Sequence, residues 1–377
     1  MFTKTDLSTS SRLVVGCLAL AVAAATQGAV NYSRPFDTPT HPALLPLPPG
    51  AVEPEGWLRD WCLAAKDGYT GHMDEVDDEF KRAWAVDHTM TGSRLDWPNG
   101  AWPYEGGGYW FDGLVRLGYA LHDNALIQQA TNRMNVVVNN MTTNSILFLW
   151  WLDRNNAADR SSVEISTGWP LWACGLMGRS LSGYYAGSGN TAILQTLQTA
   201  YNGDPALIRY PAGLSNPWPA FDTYAWTGNT TISNSLNALV SSATNSGTSA
   251  WDRYSRMPNM APGAEPNDHM VHFLECTTPW AMAYLWTGNT NYLQATLGWH
   301  DLLARDSMQP SGVPVADEYY GPMGAFRGTE TCDVAGYVWS QIMLLSVTGQ
   351  GRMADRIERA FFNAGPATVT RDFKKHV

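Results

Sequence analysis

The strongest constraint on the fold is a turn that recurs along the chain between amphipathic helical segments. In each instance an aromatic or apolar helix end runs into a small, polar turn, after which a new amphipathic segment begins. The instances are Tyr119–Asn124, Tyr185–Asn190, Trp226–Asn229, Trp286–Asn289 and Val347–Gln350. Gly or Asn can end the first helix in the left-handed conformation, and the polar residues that follow can cap the next helix. We therefore predict stacked helical hairpins with turns near residues 123, 189, 228, 288 and 349.

Helical spacing also dominates between the turns, whereas strand-like alternation is scarce. One apolar stripe consists of Leu126, Ile127, Ala130, Met134, Val137 and Val138. The prediction is an all-α protein, either an α-solenoid or a closed α/α toroid with a funnel at its centre. Residues 97–110 are rich in Pro, Gly and aromatic side chains and are expected to form a long loop at the funnel mouth. Cys174 is expected to be a small, buried apolar residue.

The composition argues against nucleic acid and anionic membranes as partners. The 377 residues carry a formal net charge of −10 and no basic run, so nothing in the sequence would neutralise the phosphates of nucleic acid or an anionic membrane. Hydrophobic residues make up 45% of the chain and charged residues 15%, which predicts a folded core. The 17 Trp and 16 Tyr residues offer flat faces that suit the C–H faces of sugars, although an aromatic-rich core would also account for them.

The N-terminus is typical of an exported protein. Lys4 and Arg12 precede an apolar run, Leu13–Ala25, which is followed by small residues up to Ala29. This pattern predicts a signal peptide over residues 1–29, and the run is too short to span a bilayer. Residues 30–54 are Pro-rich and are expected to form an extended arm, which leaves residues 55–377 for the toroid domain. The mature protein is therefore expected to be secreted or periplasmic, with no membrane partner.

The densest group of chemically active residues lies near the end of the chain. Glu318 and Glu330 flank a Gly-rich loop, and Cys332 follows just before an apolar helix. Two carboxyl groups that face one cavity are the minimum for glycosidic cleavage. A thiol at a helix N-terminus would be acidified by the helix dipole and could act as a metal ligand or a nucleophile. The alternative is structural, with Glu330 capping the helix and Cys332 buried in it.

Three further residues are candidates for binding sugar hydroxyl groups: His72, Glu105 and His269. His72 follows a Gly and precedes a run of acidic residues, and Glu105 lies between Tyr104 and three glycines. On a helix, His269 would share a face with His272 and Cys276, as in a soft-metal site. Two nearby histidines are more often hydrogen-bonding or core residues, and a neutral His at a helix start suits sugar hydroxyls. No phosphate-binding loop, nucleophile elbow or CxxC motif is present in the sequence, which argues against nucleotide, serine-hydrolase and thioredoxin chemistry.

An ordered set of motifs from about residue 43 onward resembles the catalytic domain of glycoside hydrolase family 127, the β-L-arabinofuranosidase-like proteins. The motifs are Pro46–Arg59, Gly71–Glu75, Gly108–Leu114, His269 with Thr287 and Gly288, Gly328–Cys332, and Arg356–Ala367. The resemblance implies an (α/α)6 barrel, usually followed by β-sandwich domains, and this sequence is expected to hold the barrel incomplete at its C-terminal end. It also implies a retaining mechanism with a glutamate as general acid/base and a cysteine thiolate as nucleophile, held near a zinc ion by one Glu and three Cys.

By motif, the resemblance assigns Glu330 and Cys332 as zinc ligands and a partly buried Glu318 as the acid/base. It matches His72 and His269 to sugar-contacting positions. The two remaining family cysteines, one of them the nucleophile, follow the segment that resembles Asn363–Ala367, and this sequence has no Cys after Cys332. We therefore expect a fragment of a longer enzyme that removes β-L-arabinofuranosyl or a related sugar from the non-reducing end of plant-type glycans. The alternatives are a metal-free hydrolase of unsaturated uronides and a non-catalytic carbohydrate-binding protein.

Overall fold

The computed structural model describes residues 42–85, 102–164, 169–203, 217–245, 269–324 and 326–375. The predicted signal peptide, residues 30–41 of the arm and the side chains of His272 and Cys276 lie outside this description. The helices in the described ranges are α1 (Gly56–Asp67), α2 (Tyr69–Val76), α3 (Asp78–Arg82), α4 (Trp102–Ala120), α5 (Asn124–Asn140), α6 (Ala157–Glu164), α7 (Trp169–Ser188), α8 (Thr191–Gly203), α9 (Pro217–Thr227), α10 (Thr230–Asn245), α11 (Met270–Thr287), α12 (Thr290–Asp306), α13 (Thr331–Thr348) and α14 (Gly351–Asn363).

Short elements complete the architecture. Two antiparallel strand pairs are present in the described ranges: β1 (Ser145–Ile146) with β2 (Leu149–Asp153), and β3 (Ala316–Asp317) with β4 (Tyr319–Tyr320). A 3₁₀ turn spans Gly365–Ala367. No helix in the described part of the chain is long and apolar enough to cross a bilayer.

The helices form two concentric layers. Helices α4, α7, α9, α11 and α13 each contact the next along the series and form the inner layer, while α5, α8, α10, α12 and α14 each pack outside the inner helix that precedes them. Apolar residues between the layers form the core, as expected for helices that bury one stripe against a neighbour. The prediction of an all-α toroid built from helical hairpins is therefore confirmed.

Contacts of α1 close the ring and exclude the open solenoid. Trp57 lies 5.7 Å from Phe362 and Trp61 lies 5.3 Å from Phe361, between ring centroids, so α1 packs on α14. Helix α2 follows α1 and contacts α4. The two ends of the hairpin series are thereby joined through α1 and α2.

All five predicted turns are present. Gly189, Gly228, Gly288 and Gly349 have φ values of 66°, 64°, 70° and 64°, which is the left-handed conformation expected at a helix C-terminus. The first turn has no Gly, and His122 adopts a φ of 52° in its place. In three turns the side chain of Asn190, Asn229 or Asn289 accepts a hydrogen bond from the backbone N–H two residues later, as when Asn289 accepts from Asn291 at 3.0 Å. Asp123 caps the helix in the first turn, and Gln350 makes no such bond in the last.

The prediction of a loop over residues 97–110 is wrong for its second half, because α4 begins at Trp102. Its glycines serve close packing between helices. A Cβ atom on Gly107 would lie 2.8 Å from Cβ of Ala83, and one on Gly108 would lie 2.7 Å from Cβ of Leu176 in α7. Residues 97–101 lie outside the described ranges.

The described part of the Pro-rich arm closes one end of the ring. The backbone N–H of Leu44 donates to the carbonyl of Ser346 at 3.0 Å, near the C-terminus of α13. Pro46 and Pro49 line a cavity of about 170 Å³ together with Trp226 of α9 and Leu285 of α11. The inner helices therefore end at the arm and begin at the opposite end of the ring, which we call the mouth.

Candidate active site

A patch of short strands joins the starts of α11 and α13 at the mouth. Ala316 pairs with Tyr320 in the β3–β4 hairpin and with Thr329 in a parallel bridge. Tyr319 in turn pairs with His269, which immediately precedes α11. The backbone N–H of Glu330 donates to the carbonyl of Ala316 at 3.2 Å. Glu318, Glu330 and His269 are thus carried by adjacent segments of one backbone patch.

Glu318 occupies the turn of the β3–β4 hairpin. Its φ of 81° is unfavourable for a residue with a side chain, and such strain clusters at functional sites. Nε2 of His269 lies 4.0 Å from Oε1 of Glu318. The side chain of Glu318 is 56% exposed, so the expectation of a partly buried carboxyl group is not met; the hairpin turn holds it towards solvent.

Glu330, Cys332 and Asp333 form a second group at the start of α13. Glu330 is the N-cap residue, but its side chain makes no capping hydrogen bond. Instead Oε2 of Glu330 accepts a hydrogen bond from the thiol of Cys332 at 3.0 Å. Cys332 is exposed. The structural alternative was that the Glu330 side chain caps the helix and that Cys332 is buried in it. Neither expectation is met.

Burial and neighbouring negative charge raise the pKa values of Cys332 and Asp333 in this group. Desolvation raises the pKa of the Cys332 thiol, and the adjacent carboxyl groups of Glu330 and Asp333 raise it further. The expectation that the helix N-terminus acidifies the thiol is therefore wrong for the metal-free protein. Burial raises the pKa of Asp333 to about 8, and the charge of Glu330 adds to this.

The donor set fits a divalent cation. One ligand atom each from Glu330, Cys332 and Asp333 lies within 4.8 Å of the others. Asp333 is fully buried, and neither carboxyl oxygen has a hydrogen-bond partner among the described residues. Ligand atoms around tetrahedral zinc lie roughly 3.3–3.8 Å apart, given bonds of about 2.0–2.3 Å, and mixed sulfur and carboxylate donors suit zinc. The group therefore supplies up to three ligands for such an ion.

His72 lies apart from these groups. It sits at a kink in α2 with a φ of −131°, its side chain is 46% exposed, and its Nδ1 lies 3.0 Å from Oε1 of Glu75. Among the described residues, no hydrogen bond or ion pair joins His72 to Glu318 or Glu330. Its assignment as a sugar contact stays a prediction.

Glu105 lies in the first turn of α4 and belongs to a charged cluster inside the ring. We call this set the throat cluster: Glu105, Tyr109, Asp112, Arg179 and Glu275. The hydroxyl of Tyr109 donates to Oε1 of Glu275 at 3.2 Å. Nη2 of Arg179 donates to Oδ2 of Asp112 at 3.2 Å, and Nη1 lies 3.9 Å from Oε1 of Glu275. Three inner helices, α4, α7 and α11, therefore meet through these side chains.

Of the throat cluster, only Glu105 is predicted from the sequence. A usable signal was present, because Arg179 is the only charged residue in the sequence of α7 and Glu275 is the only acidic residue in that of α11. A lone charge in an otherwise apolar helix is rarely buried without a partner or a function.

The two throat glutamates retain protons more readily than exposed ones. Burial raises the pKa of Glu105 to about 8, and the nearby charge of Glu275 contributes to the same rise. Burial raises the pKa of Glu275 to about 7, although Arg179 and the Tyr109 hydroxyl oppose this rise. Near neutral pH the throat can therefore hold both protonated and ionised carboxyl groups.

Three solved structures to which the chain is similar are glycoside hydrolases. A family 127 β-L-arabinofuranosidase from Geobacillus stearothermophilus superposes with a TM-score of 0.62 and 13% identity, covering 86% of this chain and 57% of that one. A family 127 β-arabinofuranosidase gives a TM-score of 0.66 and 16% identity, covering 88% of this chain and 56% of that one. The chain shares the fold of these two enzymes. A further glycoside hydrolase gives 0.53 and 16%, covering 82% of this chain and 51% of that one.

The resemblance predicted from the sequence motifs is thus confirmed at the level of fold. The chain spans little more than half the length of these proteins, at 57% and 56%. No protein-family model matches the chain, and no curated protein is similar to it in sequence.

Proposed function

We propose that the chain is the ring domain of an exported, retaining glycoside hydrolase of family 127. It removes a β-L-arabinofuranosyl or related sugar from the non-reducing end of a glycan. The proposal rests on the arrangement of residues at the mouth of the ring. There one backbone patch carries Glu318, His269 and the Glu330–Cys332–Asp333 group on adjacent segments. The family 127 fold supports the same reading.

The proposed chemistry needs one group that gives and then takes a proton. Glu318 is the candidate, because its carboxyl group is exposed at the mouth while its backbone is held in a strained turn. It would protonate the departing glycosidic oxygen and later accept a proton from the attacking water. His269 is placed to hydrogen-bond a sugar hydroxyl beside it.

The metal would be held by Glu330 and Cys332, with Asp333 as a third donor from this chain. When bound, zinc would favour the thiolate over the thiol and so offset the raised pKa of Cys332. The nucleophilic cysteine is proposed to follow Ala367 in the complete protein, as the family resemblance implies.

Glu318→Gln tests the acid/base assignment. In protein expressed from the complete gene, we expect the release of L-arabinose from a β-L-arabinofuranoside to fall by about 10²–10⁴-fold, because the amide cannot transfer the proton. Glu358→Gln, the same change at an exposed position of the outer helix α14, is the control and should leave release unchanged. Turnover by Glu318→Gln at the wild-type rate would remove Glu318 from the mechanism.

The throat cluster favours one second candidate, the metal-free hydrolase. Glu105 and Glu275 could supply an acid and a base without a metal, since burial raises the pKa of both. This candidate predicts full activity in zinc-free protein, whereas the leading proposal predicts its loss. A protein that binds glycans and cleaves none under either condition would be the non-catalytic alternative.

A further inference from the structure

The tight turn that carries Glu318 depends on support from its surroundings. Asp317 pairs directly with Tyr319 in the β3–β4 hairpin, so Glu318 alone makes the turn between the two strands. Its φ of 81° lies in a region that favours glycine. A residue with a side chain stays in that region only where neighbouring contacts enforce it. The position of Glu318 is therefore set by what holds the two residues beside it.

Arg327 contacts both residues that flank Glu318. Nη2 of Arg327 donates a hydrogen bond to the backbone carbonyl of Tyr319 at 2.6 Å. Nε of Arg327 lies 3.2 Å from Oδ2 of Asp317, within ion-pair distance. A planar guanidinium suits this arrangement, because its N–H groups point in fixed directions and can hold two acceptors at once. Arg327 thus bridges the two sides of the turn.

The segment that carries Arg327 is itself fixed to the hairpin. Oδ1 of Asp317 accepts a hydrogen bond from the backbone N–H of Gly328, the residue after Arg327. The carbonyl of Gly328 accepts a hydrogen bond from the backbone N–H of Ala316 at 3.1 Å. Because Asp317 is 49% exposed, its ion pair with Arg327 is screened by solvent, and the charge-assisted hydrogen bond to the Tyr319 carbonyl is the stronger contact.

The opposite side of the turn is held by α11. The backbone N–H of Met270, the first residue of α11, donates a hydrogen bond to the carbonyl of Glu318 at 2.9 Å. The backbone of the turn is therefore fixed from two sides, by α11 and by Arg327. The carboxyl group of Glu318 remains exposed at the mouth, where a substrate can reach it.

We propose that Arg327 is a positioning residue for Glu318. It holds the strained turn so that the carboxyl group stays within reach of the glycosidic oxygen, and it acts through Glu318 rather than by contact with the sugar. This inference rests on the proposed function and assigns to it a residue outside the acid/base and metal groups. A displacement of about 1 Å in a catalytic group can lower the rate about 10²-fold, so the support of one turn has a measurable effect.

Arg327→Gln tests the proposal with two substrates, in protein expressed from the complete gene. Methanol is a poor leaving group that needs a proton, so we expect kcat/KM for a methyl β-L-arabinofuranoside to fall about 10–100-fold. Nitrophenolate departs without a proton, so kcat/KM for the 4-nitrophenyl glycoside should fall by less than about threefold. This ratio reports on the steps up to departure of the leaving group. An equal loss on both substrates would overturn the inference.

A double variant tests whether Arg327 acts through Glu318. In a Glu318→Gln background there is no proton to position, so adding Arg327→Gln should lower the residual kcat/KM by less than about twofold. A full additional loss would overturn the inference.

Two further variants complete the set. Arg327→Lys keeps the charge but not the fork, so its kcat/KM on the methyl glycoside should fall between those of the wild type and Arg327→Gln. It is also the variant to use if Arg327→Gln does not fold. Arg352→Gln is the matched control, because Arg352 lies on the outer helix α14 and pairs there with Asp301 at 3.6 Å. It should leave kcat/KM unchanged for both substrates.

Hydrogen–deuterium exchange separates failure of this inference from failure of the proposed function. In Arg327→Gln the backbone N–H of Met270, which donates to Glu318, should exchange about tenfold faster than in the wild type. Unchanged exchange, with activity lost in Glu318→Gln, would overturn the role of Arg327 and leave the proposed function standing. Wild-type turnover by Glu318→Gln would refute the acid/base role of Glu318 and the positioning role of Arg327 with it.

Discussion

At the scale of single residues, the sequence predicts functional side chains that lie close together along the chain. It does not predict the side chains that only the folded ring brings together. Glu330 and Cys332 are two positions apart, so their proximity at a helix start could be predicted. Glu275 meets Arg179 and Tyr109 only because α11, α7 and α4 are neighbours in the inner layer. The raised pKa of the Cys332 thiol also depends on the fold, because it comes first from desolvation and then from the neighbouring carboxyl groups of Glu330 and Asp333.

Glu105→Gln tests whether the carboxyl group of Glu105 is protonated in the folded protein, through the pH dependence of the free energy of unfolding. Because the folded pKa of Glu105 is raised to about 8, the folded protein binds a proton that the unfolded chain releases above its ordinary pKa of 4.5. Wild-type stability should therefore fall as pH rises through this window. Glu105→Gln should remove part of that fall, on the order of a few kcal/mol between pH 5 and pH 8.

Urea denaturation at the two pH values measures the effect, with Glu358→Gln as the control. A pH dependence identical to that of the wild type would show that Glu105 is not held protonated by its surroundings.

At the scale of elements, the five hairpin turns could be predicted because their cause is local. In three of them a Gly in the left-handed conformation ends one helix, and the Asn that follows it caps the next. Helix α4 could not be predicted over Trp102–Trp110, because Gly107 and Gly108 look like helix breakers unless the contacts with Ala83 and Leu176 are known. His122 shows the limit of the turn pattern, since it adopts the same conformation without being Gly.

Gly228→Ala measures how much a glycine in the left-handed conformation at one turn contributes to the free energy of unfolding. Gly228 has a φ of 64°, and among the described residues outside its immediate chain neighbours no atom lies within 4 Å of the position that a Cβ would occupy, so the cost should come from the backbone conformation. We expect a loss of about 1–2 kcal/mol in the free energy of unfolding. Gly113→Ala, also with open space around the new Cβ but inside α4, should instead gain about 0.5–1 kcal/mol. Chemical denaturation of both variants checks the pair, and equal effects would contradict a special role for the turn.

At the scale of the whole molecule, the sequence left the solenoid and the toroid open because both repeat the same hairpin. What separates them is the curvature of the inner layer, which decides whether α1 reaches α14. The contacts of Trp57 and Trp61 with Phe362 and Phe361 show that it does. With the ring closed, the inner helices share one mouth, and the loop between α12 and α13 brings Glu318 to it.

We propose that this mouth holds a zinc-dependent glycosidase centre. The most direct measurement is L-arabinose release from a β-L-arabinofuranoside by protein from the complete gene, before chelation, after chelation and after zinc is returned. We expect release to be lost with the metal and restored by zinc, and we expect a Cys332→Ser variant to retain less zinc. Full release from metal-free protein, or no release with zinc bound, would contradict it.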